Sequence, residues 1–271
     1  NNCKFGNNLT LNGDNPTLNG GSVAVNTVLG GNNSSGDNIQ GVTFSGTVDV
    51  NGTGHDFEGT NNQIDGKITI GSGGSNTTIN QADINDEIET HEDAASVTLT
   101  NATIAGAATL AGDNVTTTGN EFTGDVTYSG ANTNDNNIQN NDYLANVIVS
   151  GSGHDFEEDE NVVTGNVTIQ AGGSNTIINQ ADLDGQLSVA ATGVNITSAN
   201  VALAATFSGD DLRLSGTTFG NTVAISGENA SSIENNISSN TFNAAVTSTN
   251  TNTANQYDSN ILETNGSIDL S

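Results

Sequence analysis

Short apolar-x-apolar steps recur along this chain at intervals of 18 to 22 residues until the last steps, and they constrain the fold more than any other feature. Each step places two apolar side chains on one side of the backbone, as a strand with one buried face does. The steps are Val48/Val50, Ile68/Ile70, Ile88, Ala108/Leu110, Val126/Tyr128, Val147/Val149, Val167/Ile169, Leu187/Val189, Ala205/Phe207, Val223/Ile225 and Ile268/Leu270, with Val23/Val25 as an earlier member. No segment shows a sustained 3.6-residue periodicity, so we predict an all-β chain without substantial helix.

A longer repeat of 99 residues is superimposed on the short one. Residues 54–58 (GHDFE) recur as residues 153–157, and residues 73–77 (GGSNT) recur as residues 172–176. Five short steps make up one such unit. We therefore predict a single solenoid domain over 1–271, with a duplicated unit at about 45–110 and 144–209.

The segments between the steps are rich in Asn, Asp and Gly, which tolerate the bent and left-handed conformations found at corners. A coil of about 18–22 residues with two or three short strands cannot bury its own apolar side chains. Coils stacked at about 4.8 Å form parallel sheets around a continuous narrow core. The sequence thus predicts a right-handed parallel β-helix, or β-solenoid.

This pattern resembles secreted right-handed parallel β-helix repeat proteins, a class that includes surface adhesins and fibres, phage tailspikes and pectin-lyase-like enzymes. The resemblance covers nearly the whole chain and rests on the repeat pattern. It implies the fold, and among functions it favours a fibre or adhesin. The pectin-lyase-like architecture is implied without its catalytic motifs.

The charge balance argues against two classes of partner, nucleic acid and acidic membranes. Thirty-one acidic residues against three basic ones give a formal net charge of −28, which repels nucleic acid and acidic membrane surfaces. No apolar run approaches the roughly 20 residues of a membrane span, so membrane insertion is not expected. We expect a secreted protein, extracellular or at the cell surface, with surface glycans as a candidate partner.

Two histidines and their acidic neighbours form the candidate metal residues. His55 and His154 are repeat equivalents five coils apart, so they cannot share a metal, and a turn role imposed by the duplication is favoured. Weak calcium binding through hard oxygen ligands remains open, and no other cofactor is required. The candidate calcium residues are Asp56, Glu58, Asp155, Glu157, Glu158, Asp159 and Glu160.

An enzymatic role finds little support in the sequence, and we predict no catalytic residue. Asp210-Asp211 followed by Arg213 resembles the Asp-Asp element of polygalacturonases, but the companion Asn-Thr-Asp, Gly-His-Gly and Arg-Ile-Lys motifs are missing. The favoured interpretation is an acidic turn with a salt-bridged arginine. A glycan-binding or glycan-cleaving β-helix stays open as the alternative, with Tyr128, Tyr143 and Tyr257 as the only candidate exposed tyrosines.

The two ends of the solenoid are the candidate assembly surfaces. Neither end carries a recognisable capping helix, and an uncapped solenoid exposes unpaired strand edges. We expect coils to continue across the boundary, into neighbouring repeats of a longer chain or into another copy in a head-to-tail homopolymer. The candidate assembly residues are Leu9, Leu11, Leu18, Ile268 and Leu270, with Cys3, the single cysteine, as a candidate for an intermolecular bridge.

Overall fold

A computed structural model describes residues 3–59, 61–157, 161–229, 236–249, 256–263 and 267–270. The regular elements of these residues are short β-strands. No helix that is long and apolar enough to cross a membrane occurs among them. The chain divides into two compact units, residues 1–132 and 133–271.

The first unit consists of turns that contribute strands to three parallel columns. In chain order its strands are β1 (Cys3–Phe5), β2 (Leu9–Leu11), β3 (Leu18–Val23), β4 (Thr27–Leu29), β5 (Ile39–Phe44), β6 (Val48–Val50), β7 (Asp56–Phe57), β8 (Asn62–Ile64), β9 (Ile68–Ile70), β10 (Thr78–Asn80), β11 (Ala82–Ile84), β12 (Ile88–Thr90), β13 (Thr98–Thr100), β14 (Thr103–Ile104), β15 (Ala108–Leu110), β16 (Thr116–Thr118), β17 (Glu121–Phe122) and β18 (Val126–Tyr128). The first column contains β7, β10, β13 and β16. The second contains β8, β11, β14 and β17, and the third contains β2, β4, β6, β9, β12, β15 and β18. The longer β5 pairs with strands of both the first and the second column, and β1, β3 and β5 stack in parallel.

The second unit repeats this plan, with one strand per column in each turn. Its strands are β19 (Ile138–Gln139), β20 (Asp142–Tyr143), β21 (Val147–Val149), β22 (Asp155–Phe156), β23 (Val162–Val163), β24 (Val167–Ile169), β25 (Ile177–Asn179), β26 (Asp182–Leu183), β27 (Leu187–Val189), β28 (Asn195–Thr197), β29 (Asn200–Val201), β30 (Ala205–Phe207), β31 (Arg213–Ser215), β32 (Thr218–Phe219), β33 (Val223–Ile225), β34 (Ile237–Ser238), β35 (Thr241–Phe242), β36 (Ala245–Ser248), β37 (Tyr257–Asp258), β38 (Ile261–Leu262) and β39 (Ser267–Leu270). In this unit the first column begins with β19, the second with β20 and the third with β21. Each column then takes every third strand. All pairings in the three columns are parallel.

The core of each unit is a narrow stack of inward side chains. In most third-column strands the first and third residues are buried and the middle residue is more exposed, as in Val48–Val50 and Leu187–Val189. Second-column residues add aromatic rings: Phe219 and Phe242 of successive turns are stacked with centroids 5.3 Å apart. Side chains of equivalent position thus lie one above another, which is how short strands acquire a continuous core.

The predicted β-solenoid is confirmed, with turns of 18 to 23 residues by the third-column register. One predicted step is wrong: Val25 is 37 % exposed and lies outside the strands, and the third-column strand of that turn is Thr27–Leu29. The fully buried Thr27 carries a hydroxyl, which hid the step. The right-handed winding and the single continuous domain stay predictions.

Candidate functional site

His55 is a fully buried histidine whose two ring nitrogens both have protein partners. Its Nε2 lies 2.7 Å from the carbonyl oxygen of Gly31, and its Nδ1 lies 2.9 Å from Nδ2 of Asn38. A carbonyl can only accept and an amide nitrogen can only donate. The ring is therefore neutral, with its proton on Nε2. Burial lowers the pKa of His55, against smaller opposing effects of the Gly31 carbonyl and the Asp56 charge.

Asn38 connects this histidine to the neighbouring turns. Its Nδ2 also lies 3.0 Å from the carbonyl oxygen of Pro16, and its Oδ1 accepts the backbone N–H of Asp56 at 2.8 Å. The second unit has the same contacts: Asn137 Nδ2 lies 3.1 Å from Nδ1 of His154, and Asn137 Oδ1 accepts the N–H of Asp155. The histidines thus hold the turns in register, which agrees with the favoured turn role.

The candidate calcium residues follow these histidines in the sequence. Burial raises the pKa of Asp56, although a hydrogen bond from Thr78 opposes the shift. Burial also raises the pKa of Glu58, helped by a hydrogen bond with Asp37 and by the charges of Asp37 and Asp56. The hydrogen bond raises the pKa of Glu58 because a carboxyl group can donate only in its protonated form.

In the second unit, Asp155 is buried and Glu157 is half-buried, while Glu158, Asp159 and Glu160 lie outside the described residues. Across the part of the chain that the structure describes, no group of three or more His, Cys, Asp or Glu side chains is placed to hold a metal ion. Weak calcium binding stays a prediction.

The Asp210-Asp211-Arg213 segment is a corner followed by a strand. Asp211 has a positive φ of 54°, and Asp210 Oδ1 accepts the N–H of Glu228 in the next turn at 2.8 Å. Arg213 begins β31 and is exposed. Tyr128 and Tyr143 are fully buried, so neither can contribute to the exposed aromatic platform that a glycan site would need.

The first turn of unit 1 leaves its core partly open. Phe5 is in register with Val23, which is in register with Phe44. Val23 and Phe44 are buried, whereas Phe5 is 36 % exposed. The predicted assembly residues lie in the same turns: Leu9, Leu11 and Leu18 are half-buried and Cys3 is exposed on β1.

The last described turn of unit 2 is open in the same way. Leu262 is in register with Phe242, a fully buried residue, yet Leu262 is 45 % exposed. Ile268 is half-buried on β39, and Leu270 of that strand is in register with Ser248. Phe5 and Leu262 were missed by sequence reasoning; their register with buried residues of neighbouring turns is the signal that identifies them.

Asparagines at the corner between the first and second columns form hydrogen bonds to the preceding turn. Asn62 Oδ1 accepts the N–H of Val42, and its Nδ2 donates to the carbonyl of Ile39, both in the preceding turn. Asn260 repeats this on the last described turn of unit 2, toward Asn240 and Ile237. Each of these asparagines therefore links its own turn to the turn before it in the chain.

Comparison of the chain with known protein families, with characterised proteins and with solved structures gave no match.

Proposed function

We propose that this chain is a non-enzymatic structural or adhesive module of an extracellular fibre or cell-surface filament, in which turns continue end to end. One observation carries the proposal. Phe5 and Leu262 occupy core positions, and each is exposed because no described turn covers it.

An open core and an open strand edge favour the addition of another turn. Among the described strands, β1 pairs only with β3 and β38 only with β35, and an open strand edge is a template for pairing with a further strand. Covering Phe5 or Leu262 removes apolar surface from water, at about 25 cal/mol per Å². The two ends differ in sequence, so contact between them is head to tail, and it generates an open filament when it joins separate copies without closing a ring. Neighbouring repeats of a longer chain would satisfy the same edges.

The charge of the chain sets the ionic conditions under which copies can associate. A net charge of −28 repels other copies at low salt, and the repulsion is screened over about 8 Å at physiological ionic strength. A fibre built from this chain therefore forms best in salt, where the short-range contacts at the ends outweigh the repulsion. The alternative of a glycan-binding or glycan-cleaving β-helix is weakened by the burial of Tyr128 and Tyr143.

Electron microscopy of the chain at high concentration, with and without a calcium chelator, tests the proposal. We expect filaments with the native sequence, and short or absent filaments for Leu262→Asp, which places a carboxylate in the open core. Ile261→Asp is the matched control, because Ile261 is on the same strand but is in register with Thr241, a position outside the core.

Phe5→Asp tests the opposite end, and circular dichroism verifies that each variant is folded. Discrete particles of the native chain at all concentrations would overturn end-to-end association. Equal effects of the Leu262 and Ile261 substitutions would overturn the role of the open core. Loss of filaments when the chelator is added would show that calcium takes part in the contact between the ends.

A further inference from the structure

The outer side of six successive third-column strands in unit 2 carries no ionisable side chain. These strands are β21, β24, β27, β30, β33 and β36, each taken as the five residues in register; the next strand of the column, β39, carries Asp269 and lies outside this surface. The segments are 146–150, 166–170, 186–190, 204–208, 222–226 and 245–249, and none contains Asp, Glu, Lys, Arg or His. We call this surface the neutral face.

The neutral face is regular and is built from small or uncharged side chains. Its central line consists of Ile148, Thr168, Ser188, Thr206, Ala224 and Thr247, all in parallel register. Along the edge, Asn146 Oδ1 accepts the N–H of Asn166, and Asn166 Oδ1 accepts the N–H of Gln186. Such a ladder fixes the edge residues and keeps the surface even.

The same column of unit 1 is charged, so the neutral face is not a general property of the fold. Its outward positions include Asp49, Glu87, Glu89 and Asp125, and Lys67 lies 3.6 Å from Glu87. The two faces therefore share a backbone plan and differ in charge.

Two copies of a chain with a net charge of −28 repel each other through any acidic surface. Contact through the neutral face keeps the carboxylates of both copies outside the contact area. Stacked sheets lie about 10 Å apart, and Ser, Thr, Ala and Asn side chains can interdigitate at that distance, as in steric zippers. The charge distribution thus selects this surface for approach between like molecules.

We propose that the neutral face pairs with the neutral face of a second copy of this chain. The contact is lateral, uses the same surface on both copies, and does not depend on the end-to-end association proposed above. Six strands at about 4.8 Å and five residues at about 3.3 Å give roughly 480 Å² per partner. That is about half of a standard interface, so a single pair is weak. Repetition along a fibre multiplies it.

A neutral polysaccharide is the competing occupant of a flat uncharged surface. The outward positions of the neutral face contain no aromatic side chain, which removes the stacking platform that a sugar ring would use. The second copy is therefore the favoured partner.

Sedimentation equilibrium of Thr206→Glu against Thr109→Glu tests the pairing. Both threonines are exposed central residues of third-column strands, one on the neutral face and one on the charged face of unit 1. The measurements use the Leu262→Asp background, so that end-to-end association does not contribute. We expect weak concentration-dependent dimerisation of the background chain, weakening by at least about tenfold with Thr206→Glu, and no change with Thr109→Glu.

A cysteine variant gives an independent result. In a Cys3→Ser chain, Ser188→Cys places a thiol at the centre of the neutral face, and we expect disulfide-linked dimers under mild oxidation. Thr109→Cys is the control and should stay monomeric. Equal cross-linking of the two variants, or a monomeric background chain at every concentration, would overturn the pairing. Binding of a neutral polysaccharide that Thr206→Glu abolishes, without self-association, would assign the face to a glycan instead.

Discussion

At the scale of single residues, the stack depends on a few buried polar side chains that bridge turns. His55 and Asn62 are fully buried, and each bonds to the backbone of a preceding turn. A buried polar group without a partner costs about 1–3 kcal/mol, so these residues stabilise the fold only while every bond is made. The repeat in the sequence predicted a turn role for His55. Which turns its hydrogen bonds connect could be known only from the strand register.

His55 predicts a loss of stability at mildly acidic pH. Its folded-state pKa is below the ordinary value of 6.5, so the unfolded chain binds more protons as the pH falls. The contribution of His55 to stability is therefore complete above pH 6.5 and decreases as the pH falls from there toward the folded-state pKa. Thermal unfolding at a series of pH values should show a shallower decrease for His55→Gln than for the native chain.

Asp56 and Glu58 act in the opposite direction, so the effect of His55 is measured as the difference between the pH profiles of the native chain and His55→Gln. Their raised pKa values make the folded chain bind more protons than the unfolded chain, so they add stability as the pH falls through their titration. Parallel pH profiles of the two proteins would contradict the assignment of His55 as the neutral bridge.

Asn62 predicts a large effect from a small truncation. Asn62→Ala leaves the buried N–H of Val42 and the carbonyl of Ile39 without these bonds, at a cost of about 2 kcal/mol in the free energy of unfolding. Asn7→Ala, at an exposed position of the same unit, should change it by less than about 0.5 kcal/mol. Urea unfolding measures both, and equal midpoints would exclude the bridging role.

At the scale of strands and corners, apolar alternation predicted most third-column strands, and polar core residues concealed the others. Thr27 and Ser248 are buried where most turns carry an aliphatic residue, so β4 and the step in β36 were missed. The 99-residue repeat also extends further than the sequence analysis recognised. Asn38, Asn137 and Asn236 are each 99 residues apart, and each accepts a backbone N–H from the following turn.

Stacked corners impose a steric limit that alternation does not reveal. Gly165 and Gly185 occupy the corner between the second and third columns in successive turns. A Cβ on Gly185 would lie 2.0 Å from the carbonyl oxygen of Gly165, a distance that the backbone cannot accommodate without moving.

Gly185→Ala should therefore lower the free energy of unfolding by about 2–3 kcal/mol, in the range of overpacking substitutions. Gly13→Ala is the control, since a Cβ there meets no atom within 4 Å. Chemical denaturation of both variants gives the comparison. If Gly185→Ala and Gly13→Ala had the same free energy of unfolding, the stacked corners would tolerate a Cβ and the steric limit would be wrong.

At the scale of the whole molecule, the excess of negative charge opposes both folding and assembly. Acidic side chains on successive turns interact, as where, besides burial, the charge of Asp37 raises the pKa of Asp56 and Glu58, and the chain has only three lysines and arginines in total to offset its acidic residues. The exposed core positions Phe5 and Leu262 and the neutral face could not be predicted from alternation alone, because they depend on which residues the stacking leaves uncovered and which strands it aligns.

Added salt should stabilise the protein, and divalent ions test whether calcium has a specific role. Raising NaCl from about 0.05 M to about 0.5 M shortens the screening length well below 10 Å, so we expect Tm to rise by roughly 5 °C. Ca²⁺ and Mg²⁺ at matched ionic strength screen equally, but acidic turns with flexible oxygen ligands bind Ca²⁺ more readily. A larger Tm with Ca²⁺ that saturates, and that Asp155→Asn/Glu157→Gln reduces, would establish the predicted calcium site. Identical Tm values with the two ions would leave screening as the only effect of cations on this chain.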